Sequence, residues 1–326
     1  MQHDGAMRIC VGAITFRRPN LLGGLLRSFE NLRAPPNATL IFLIVDNDAA
    51  MSAAIAVKNF QSRLKEGIVL YTVEARAGIP IARNRAVQEA IAAGADYLAF
   101  ADDDEEVHPD WVCELVAAAV ERKLDLVGGP VRCLSSDISM DLWSKALMTG
   151  IVARDMKKER SARRRAEKGL ESNIVIVTNN WLVDLAWLRQ TNLKFDEALR
   201  FSGGSDAKFY ADARALSVRS GWSTSAVVYE RVPLSRIGFG YQFDRARNQA
   251  IASFRRRHAV NTPRVMLTTL LSSAVKVLGC AACVAGVPIF GGRALIQVAR
   301  QSGWAVGRMQ ALFGGTSSLY STTDGD

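Results

Sequence analysis

The chain has 326 residues, 49% of them hydrophobic and 22% charged, enough for a sizeable core and too apolar for global disorder. Its net charge is +9, yet no aromatic-interleaved basic motif accompanies that excess, so no nucleic-acid partner is expected. Five scattered cysteines, and no basic-then-apolar leader in MQHDGAMRICVGAIT, point to a reduced, cytoplasmic setting.

In chain order, residues 8–15 (RICVGAIT), 40–45 (LIFLIV), 68–73 (IVLYTV), 97–101 and 124–131 are short apolar runs that read as strands. Between them 21–32, 53–64, 81–93 and 111–122 carry helical periodicity. Strands alternating with helices of this length imply βαβ units and an open, mostly parallel, twisted α/β sheet flanked by helices. Ligands of such sheets bind outside the carboxyl ends of the strands. Four strands run into polar residues there: Thr15-Phe16-Arg17-Arg18-Pro19, Asp46-Asn47-Asp48, the helix-opening Gly78 to Asn84 with Arg83, and Asp102-Asp103-Asp104-Glu105. Each alone is ordinary turn chemistry. Four on one edge are a stronger signal.

Residues 154–168 (RDMKKERSARRRAEK) carry eight bases against three acids. The block reads as a mobile, solvated segment or as a contact for an anionic substrate or lipid surface. From about residue 173 a second set begins. A strand at 173–177 (NIVIV) ends in Thr178-Asn179-Asn180, and Phe195-Asp196-Glu197 leads to Ser202-Gly203-Gly204-Ser205-Asp206, which opens a helix at 207–218. A strand-like WSTSAVVYERVP follows. Residues 265–290 contain a single charge, Lys276, with Arg264 and Arg293 outside them. That is long enough to cross a bilayer, although Lys276 and Pro288 make it an imperfect span. Residues 293–313 read as an amphipathic helix. Membrane attachment is expected, spanning or interfacial, with a soluble helical hairpin as the alternative. Cys280 and Cys283, in CxxC spacing within this apolar stretch, read as helix-packing residues rather than a metal or redox pair.

Carboxylates fixed about 5 Å apart repel by roughly 3 kcal/mol at an effective dielectric near 20, so a folded acidic cluster favours a cation. In an extended stretch alternate side chains share a face, which would set Asp102 and Asp104 together and Asp103 opposite. Two such oxygens suit Mg²⁺ or Mn²⁺, which take the rest of their shell from water and phosphates. An acid-capped strand end is equally open from this stretch alone. Arg83, near a helix start, is placed for an anion or a salt bridge. No G-x-G-x-x-G follows the first strand and no G-x-x-x-x-G-K-[ST] occurs, which argues against dinucleotide and P-loop chemistry.

The ordered set TFRRP, VDND, GIPIARN, FADDDE and a Gly-Gly-x-Asp before a helix resembles family 2 glycosyltransferases of the GT-A fold, in particular the succinoglycan-type glucosyltransferases of bacterial exopolysaccharide synthesis. The likeness spans roughly residues 8–250. It implies a UDP-hexose donor, with glucose as the sugar, held by Thr15, Phe16, Arg17, Asp46 or Asp48, Arg83 and the acids Asp102, Asp103 and Asp104. Asp102 and Asp104 match the Asp-x-Asp motif that holds Mn²⁺ or Mg²⁺ on the diphosphate. Gly204-Ser205-Asp206 matches the family's Gly-Glu-Asp, with Ser in place of Glu and Asp206 retained as the general base of an inverting transfer. Asn179, Asn180 and Gly204 fall on the acceptor side. The processive members carry Gln-x-x-Arg-Trp, whereas here Gln242 and Arg245 are followed by Ala246, so addition of one sugar is implied.

The implied organisation is a glycosyltransferase domain over 1–255, with a donor half at 8–135 and an acceptor half at 136–255. A helical membrane-associating segment follows at 256–326. The implied acceptor is a lipid-linked saccharide, the site the cytoplasmic face of the inner membrane, and the 154–168 segment a loop closing over the diphosphate. Two other readings stay open: a degenerate transferase acting as a scaffold, on the strength of Ser205, and a nucleotidyltransferase, which would want a glycine-rich loop in place of TFRRP.

Overall fold

The computed structural model describes residues 5–135, 140–200, 203–258 and 262–315; Ser202 lies outside them, as do 259–261 and 316–326 of the C-terminal segment. The first half alternates as the apolar pattern demands: β1 Met7–Thr15, α1 Pro19–Phe29, β2 Ala38–Asp46, α2 Ala54–Arg63, β3 Ile68–Val73, α3 Ile79–Ala92 and β4 Tyr97–Ala101. Ile9, Cys10, Val11 and Ala13 of β1 are wholly buried, as expected of a parallel strand covered on both faces. In α1, Leu22, Leu25, Leu26 and Phe29 recur at helical spacing and turn inward. Register aligns the strand ends, Thr15 standing opposite Asp46.

The chain continues through β5 Glu105–Val107, α4 Trp111–Arg122, β6 Leu126–Gly128, β7 Val131–Ser135, α5 Leu142–Glu167, β8 Asn180–Asp184, α6 Leu185–Thr191, α7 Ser205–Ala215, β9 Ser220–Trp222 and β10 Val228–Val232. Helices α8 Leu234–Ile237, α9 Phe239–Arg257, α10 Pro263–Ala285, α11 Val287–Phe290 and α12 Gly292–Leu312 complete it. Among the described residues the main sheet has order β3-β2-β1-β4-β8-β6-β9. Its strands run parallel except β8, which is antiparallel to β4 and β6. A small sheet, β5-β10-β7, stands beside it. One core fills the α1, α2 and α4 side of the main sheet, the other the α3, α6 and α7 side.

Four expectations change. The run 124–131 is two strands in two sheets, because Gly129-Pro130 interrupts it: proline brings no N–H to a ladder, and a Cβ on Gly129 would lie 2.3 Å from the Ala226 carbonyl oxygen. Residues 173–177 are not a strand. Ile174 and Ile176 turn inward and Val175 and Val177 outward, but the place between β4 and β6 is taken by β8. Alternation without a ladder partner does not make a strand. The basic block 154–168 is largely solvated, as expected, but it is helical, in α5 up to Glu167, and anchored by ion pairs rather than a loop. Asp155 pairs with Arg154 and Lys158, Glu159 takes Arg132 of β7 in two hydrogen bonds, and Ala162 is buried.

The fourth change concerns the boundary at 255/256, which falls inside α9. Helix α12 beyond it packs backbone to backbone on the rest: Cβ atoms added to Gly292, Gly303 and Gly307 would lie 1.5, 2.2 and 2.2 Å from the carbonyl oxygens of Ala146, Phe243 and Arg247. Helix α12 is therefore part of the folded body, while α10 rests on α12 and is otherwise largely exposed.

Candidate active site

The carboxyl ends of β1, β2 and β4 meet at one edge, and α3 opens beside them. Asp46 ends β2 with no exposed surface. Its carboxylate accepts from the Ala53 N–H at 2.8 Å, the Tyr71 hydroxyl at 2.8 Å and the Asp48 N–H at 3.1 Å, so it fastens the loop and has no face for a ligand. Of the two acids expected to face a base, this leaves Asp48. The Arg17 Nε donates to it at 3.3 Å from the turn after β1, where Arg17 lies over the Phe16 ring at 5.0 Å. Burial pushes the Asp48 carboxyl up, but the Ala50 N–H, Arg17 and Ser52 together hold it below the usual range. Asn47, which sequence reading passed over as a turn residue, clamps the next loop. It donates to the carbonyls of Glu74 and Arg76 and accepts from the Gly78 N–H.

The three aspartates do not alternate, because 102–104 is a turn between β4 and β5 rather than an extended stretch. They fan to three elements. Asp102 receives Arg83 of α3 at 3.4 Å. Asp103, expected to face away, instead accepts from the Thr15 hydroxyl at 2.8 Å and from Arg18 at 3.4 Å, so both Thr15 and Asp103 are buried in holding β1 to the turn. Asp104 receives Arg236 of α8 at 2.7 Å. Arg236 had no signal in the sequence, standing 132 residues away in an unremarkable segment. Glu105 is buried beneath the turn, accepting from the Asp102 N–H at 2.8 Å and from the Asn179 side-chain amide at 3.1 Å.

Packed acids strain one another. Burial pushes the Asp102 carboxyl up, and the charges of Asp104 and Asp206 add to this against Arg83. Burial, then Asp104, drives Asp103 to about 7. Burial, then Asp102 and Asp104, lifts Glu105 well above the usual range. Burial lifts Glu230 of β10 as well, again with Asp104 contributing. An oxygen-only donor set with this excess of negative charge fits a hard divalent cation. Among the described residues no three His, Cys, Asp or Glu side chains form a ready cage.

The second half of the site comes from α7. Gly204, with φ 83°, takes the left-handed conformation that turns the chain into the helix. Asp206 lies in the first turn, its carboxylate accepting from the Ala207 N–H. Ser205, where the family motif has Glu, is buried and accepts from Arg83 Nη1 at 3.5 Å. Arg83 thus reaches Asp102 on one arm and Ser205 on the other, with its guanidinium 5.7 Å from the Phe195 ring. Asn84 beside it fixes that loop through the Phe195 backbone. Asn180, expected on the acceptor side, is committed to the fold. It opens β8 rather than following a strand, donates to the carbonyls of Pro130 and Ala226, and accepts from the Trp111 indole N–H. Asn179 holds Glu105, and its carbonyl oxygen is buried without a partner. A cavity of about 590 Å³ lies on the α1 side of the turn, touching Asp104 and Glu105 and lined by Arg27, Asn31 and Arg231.

A mostly parallel sheet with an acidic turn on its carboxyl edge, and a second half that brings a further carboxylate to it, is the architecture of the GT-A fold. The family model for glycosyl transferase family 2 matches residues 10–179, and the chain belongs to that family: it is a glycosyltransferase. The succinoglycan biosynthesis protein ExoM of Rhizobium meliloti (strain 1021) is 28% identical over 248 residues, 72% of this chain and 70% of that one. Among solved structures, the mannosyltransferase PcManGT of Pyrobaculum calidifontis, in complex with GDP-Man and Mn²⁺, aligns with a TM-score of 0.62 at 12% identity, over 95% of this chain and 88% of that one. S. aureus TarS 1–349 in complex with UDP aligns with a TM-score of 0.51 at 14% identity, over 98% and 95%. Against a longer TarS chain the match spans 43% of that chain's length.

Proposed function

We propose that the protein transfers one hexose, with inversion, from a UDP-sugar to a lipid-linked saccharide in exopolysaccharide or other cell-surface glycan synthesis. The observation that carries this reading is Arg83, which joins Asp102 on the β4 turn to the Ser205-Asp206 turn of α7. That contact supports reading Asp102 as donor-side and the turn of Ser205 and Asp206 as base-side, on either side of the Arg83 guanidinium. The resemblance to ExoM, a succinoglycan biosynthesis protein, supports the exopolysaccharide setting. Neighbours solved with UDP and with GDP-Man plus Mn²⁺ support a nucleotide-sugar and a divalent metal.

In this reading Asp48 and Arg17 receive the nucleoside, and Asp102 and Asp104 would hold Mn²⁺ or Mg²⁺. The cation, when bound, supplies positive charge to the diphosphate. Arg83 adds a second charge at the same place, and Thr15 and Arg18 keep the acidic turn in position through Asp103. Asp206 takes the proton of the acceptor hydroxyl as that oxygen bonds to the anomeric carbon. The bond from that carbon to the diphosphate oxygen breaks on the opposite face, and its electron pair leaves with UDP. The donor half, 8–135, and the acceptor half, 136–255, meet at Arg83. The C-terminal segment attaches the enzyme to the cytoplasmic face of the inner membrane, where the acceptor lipid resides.

The test is direct. Purified protein with Mn²⁺ is expected to be stabilised by a UDP-hexose in a thermal-shift screen and to hydrolyse it slowly, and Asp104→Ala removes both. A protein that no nucleotide-sugar stabilises, beside a responding control transferase, would sink the reading.

A further inference from the structure

Residues 239–315 contain ten bases and one acid, Asp244, an excess equal to the net charge of the whole chain. The charge is concentrated on α9 to α12. Within that region α10 is, among the described residues, the one helix long and apolar enough to cross a membrane, with mean hydropathy 1.7 and only 11% of its most apolar stretch buried. Leu267, Leu271, Val275 and Leu278 are each more than half exposed and run along one side, and Ile289 and Phe290 extend the surface past its end. Exposed arginines border it: Arg255, Arg256 and Arg257 at the end of α9, Arg264 at the start of α10, and Arg293 at the start of α12.

The opposite side of α10 is occupied. Thr269 and Ser273 are buried, Gly279 meets Gln301, the Cys280 thiol reaches the Val298 carbonyl, and Lys276 turns back over the Trp304 ring at 5.9 Å. These contacts step antiparallel along α12, which is itself locked by its glycines against α5 and α9. A helix with one side on the folded body cannot be surrounded by lipid. To span, α10 would have to leave α12. A hairpin of the two would instead carry Arg300 and Arg308 into hydrocarbon, which is strongly unfavourable. The base-side turn is close by: a Cβ on Gly204 would lie 3.1 Å from Arg256 Nη1.

We propose that α10 lies in the plane of an anionic bilayer interface, its inner side on α12 and its outer side among acyl chains. Arg255, Arg256, Arg257 and Arg264 meet lipid phosphates, and the Gly204-Asp206 turn is held at the membrane surface. This deepens the membrane-attached reading above and rests on it. An amphipathic helix of this kind sinks about 5–10 Å into the interface. The bordering charge matches anionic headgroups, and the attraction falls off with salt.

The experiment is flotation of the full chain with vesicles of phosphatidylcholine alone or mixed with phosphatidylglycerol. Binding is expected to require the anionic lipid. The triple change Arg255→Gln, Arg256→Gln, Arg257→Gln is expected to cut partition roughly a hundredfold at low salt. Leu267→Glu, Leu271→Glu and Leu278→Glu together are expected to abolish binding, with the melting temperature and the slow Mn²⁺-dependent hydrolysis of UDP-glucose unchanged. Depth is read by introducing Trp singly at Leu267, Leu278 and Ile289 and quenching with lipids brominated at set positions, each signal taken as its increment over the parent protein. Equal, shallow depth at all three is the in-plane result; a deep Leu278 between shallow ends means a span and overturns the proposal. No vesicle binding with hydrolysis intact overturns the docking surface and leaves the transferase standing. Binding without hydrolysis of any nucleotide-sugar does the reverse.

Discussion

Asp46 and Asp48 stand two residues apart at the end of β2, yet their environments divide their roles. Asp46→Ala would leave the Ala53 N–H and the Tyr71 hydroxyl without their acceptor, and a cost of roughly 3 kcal/mol is expected in urea unfolding. Asp48→Ala, which leaves the Ala50 N–H and Arg17 without their acceptor, is expected to cost about 1 kcal/mol, less than Asp46→Ala, and to weaken UDP binding, measured by calorimetry. Asp206→Asn is expected to lower kcat by about 10²–10⁴-fold with donor affinity retained, the signature of a lost general base. The buried acids also make a pH prediction. Asp103 is raised from 3.8 to about 7. The folded cation-free protein therefore binds more protons than the unfolded chain between those values, and its stability falls as pH rises through them. The gain in melting temperature on adding Mn²⁺ should accordingly grow from pH 4 to pH 7; a gain that is flat or shrinks with pH would show that the acidic turn does not relax on a cation.

At the scale of elements, legibility followed burial. Strands β1 to β4 and helices α1 to α4 were readable because each is a single apolar run or stripe bounded by turn residues, and their carboxyl edge pointed to Arg83, Asp48 and the 102–104 turn. What was not readable depends on partners far along the chain. NIVIV alternates as a strand should, but β8 occupies the sheet position, and Asn180 turned out to bind Trp111, Pro130 and Ala226. The 154–168 block looked mobile because its acids seemed too few; Asp155 and Glu159 nonetheless pin it to its own turn and to β7. Arg236 meets Asp104 only through tertiary folding. The glycines of α12 were likewise silent in sequence, since helical glycine normally weakens a helix by about 1 kcal/mol relative to alanine. Their close approach to α5 and α9 reverses that preference. Gly303→Ala would drive a methyl into the Phe243 carbonyl, and a net loss of about 1–3 kcal/mol is expected in thermal unfolding.

Across the whole molecule, the C-terminal helices are tied to the acidic turn by a chain of side chains. Arg300 of α12 donates to Gln242 of α9 at 3.2 Å, Gln242 donates to the Arg236 carbonyl at 2.9 Å, and Arg236 donates to Asp104 at 2.7 Å. Ile296 of α12 also fills the cluster of Leu147, Ile151 and Ile237, while Ala311 and Leu312 cover Ile251 and Phe254. A tail that merely tethered a finished domain would be dispensable. Deleting residues 259–326 is therefore expected to give aggregated or molten protein, because two apolar clusters lose their cover and Gln242 loses the Arg300 donor. By contrast, the glutamate substitutions on the outer side of α10 keep α12 in place and should leave a protein that elutes like the full chain and melts cooperatively. Size-exclusion chromatography and thermal unfolding of the two forms separate the cases: a deletion protein that melts like the full chain and binds Mn²⁺ equally well would show that α12 is an appendage, and that the Arg300 to Asp104 connection carries no weight.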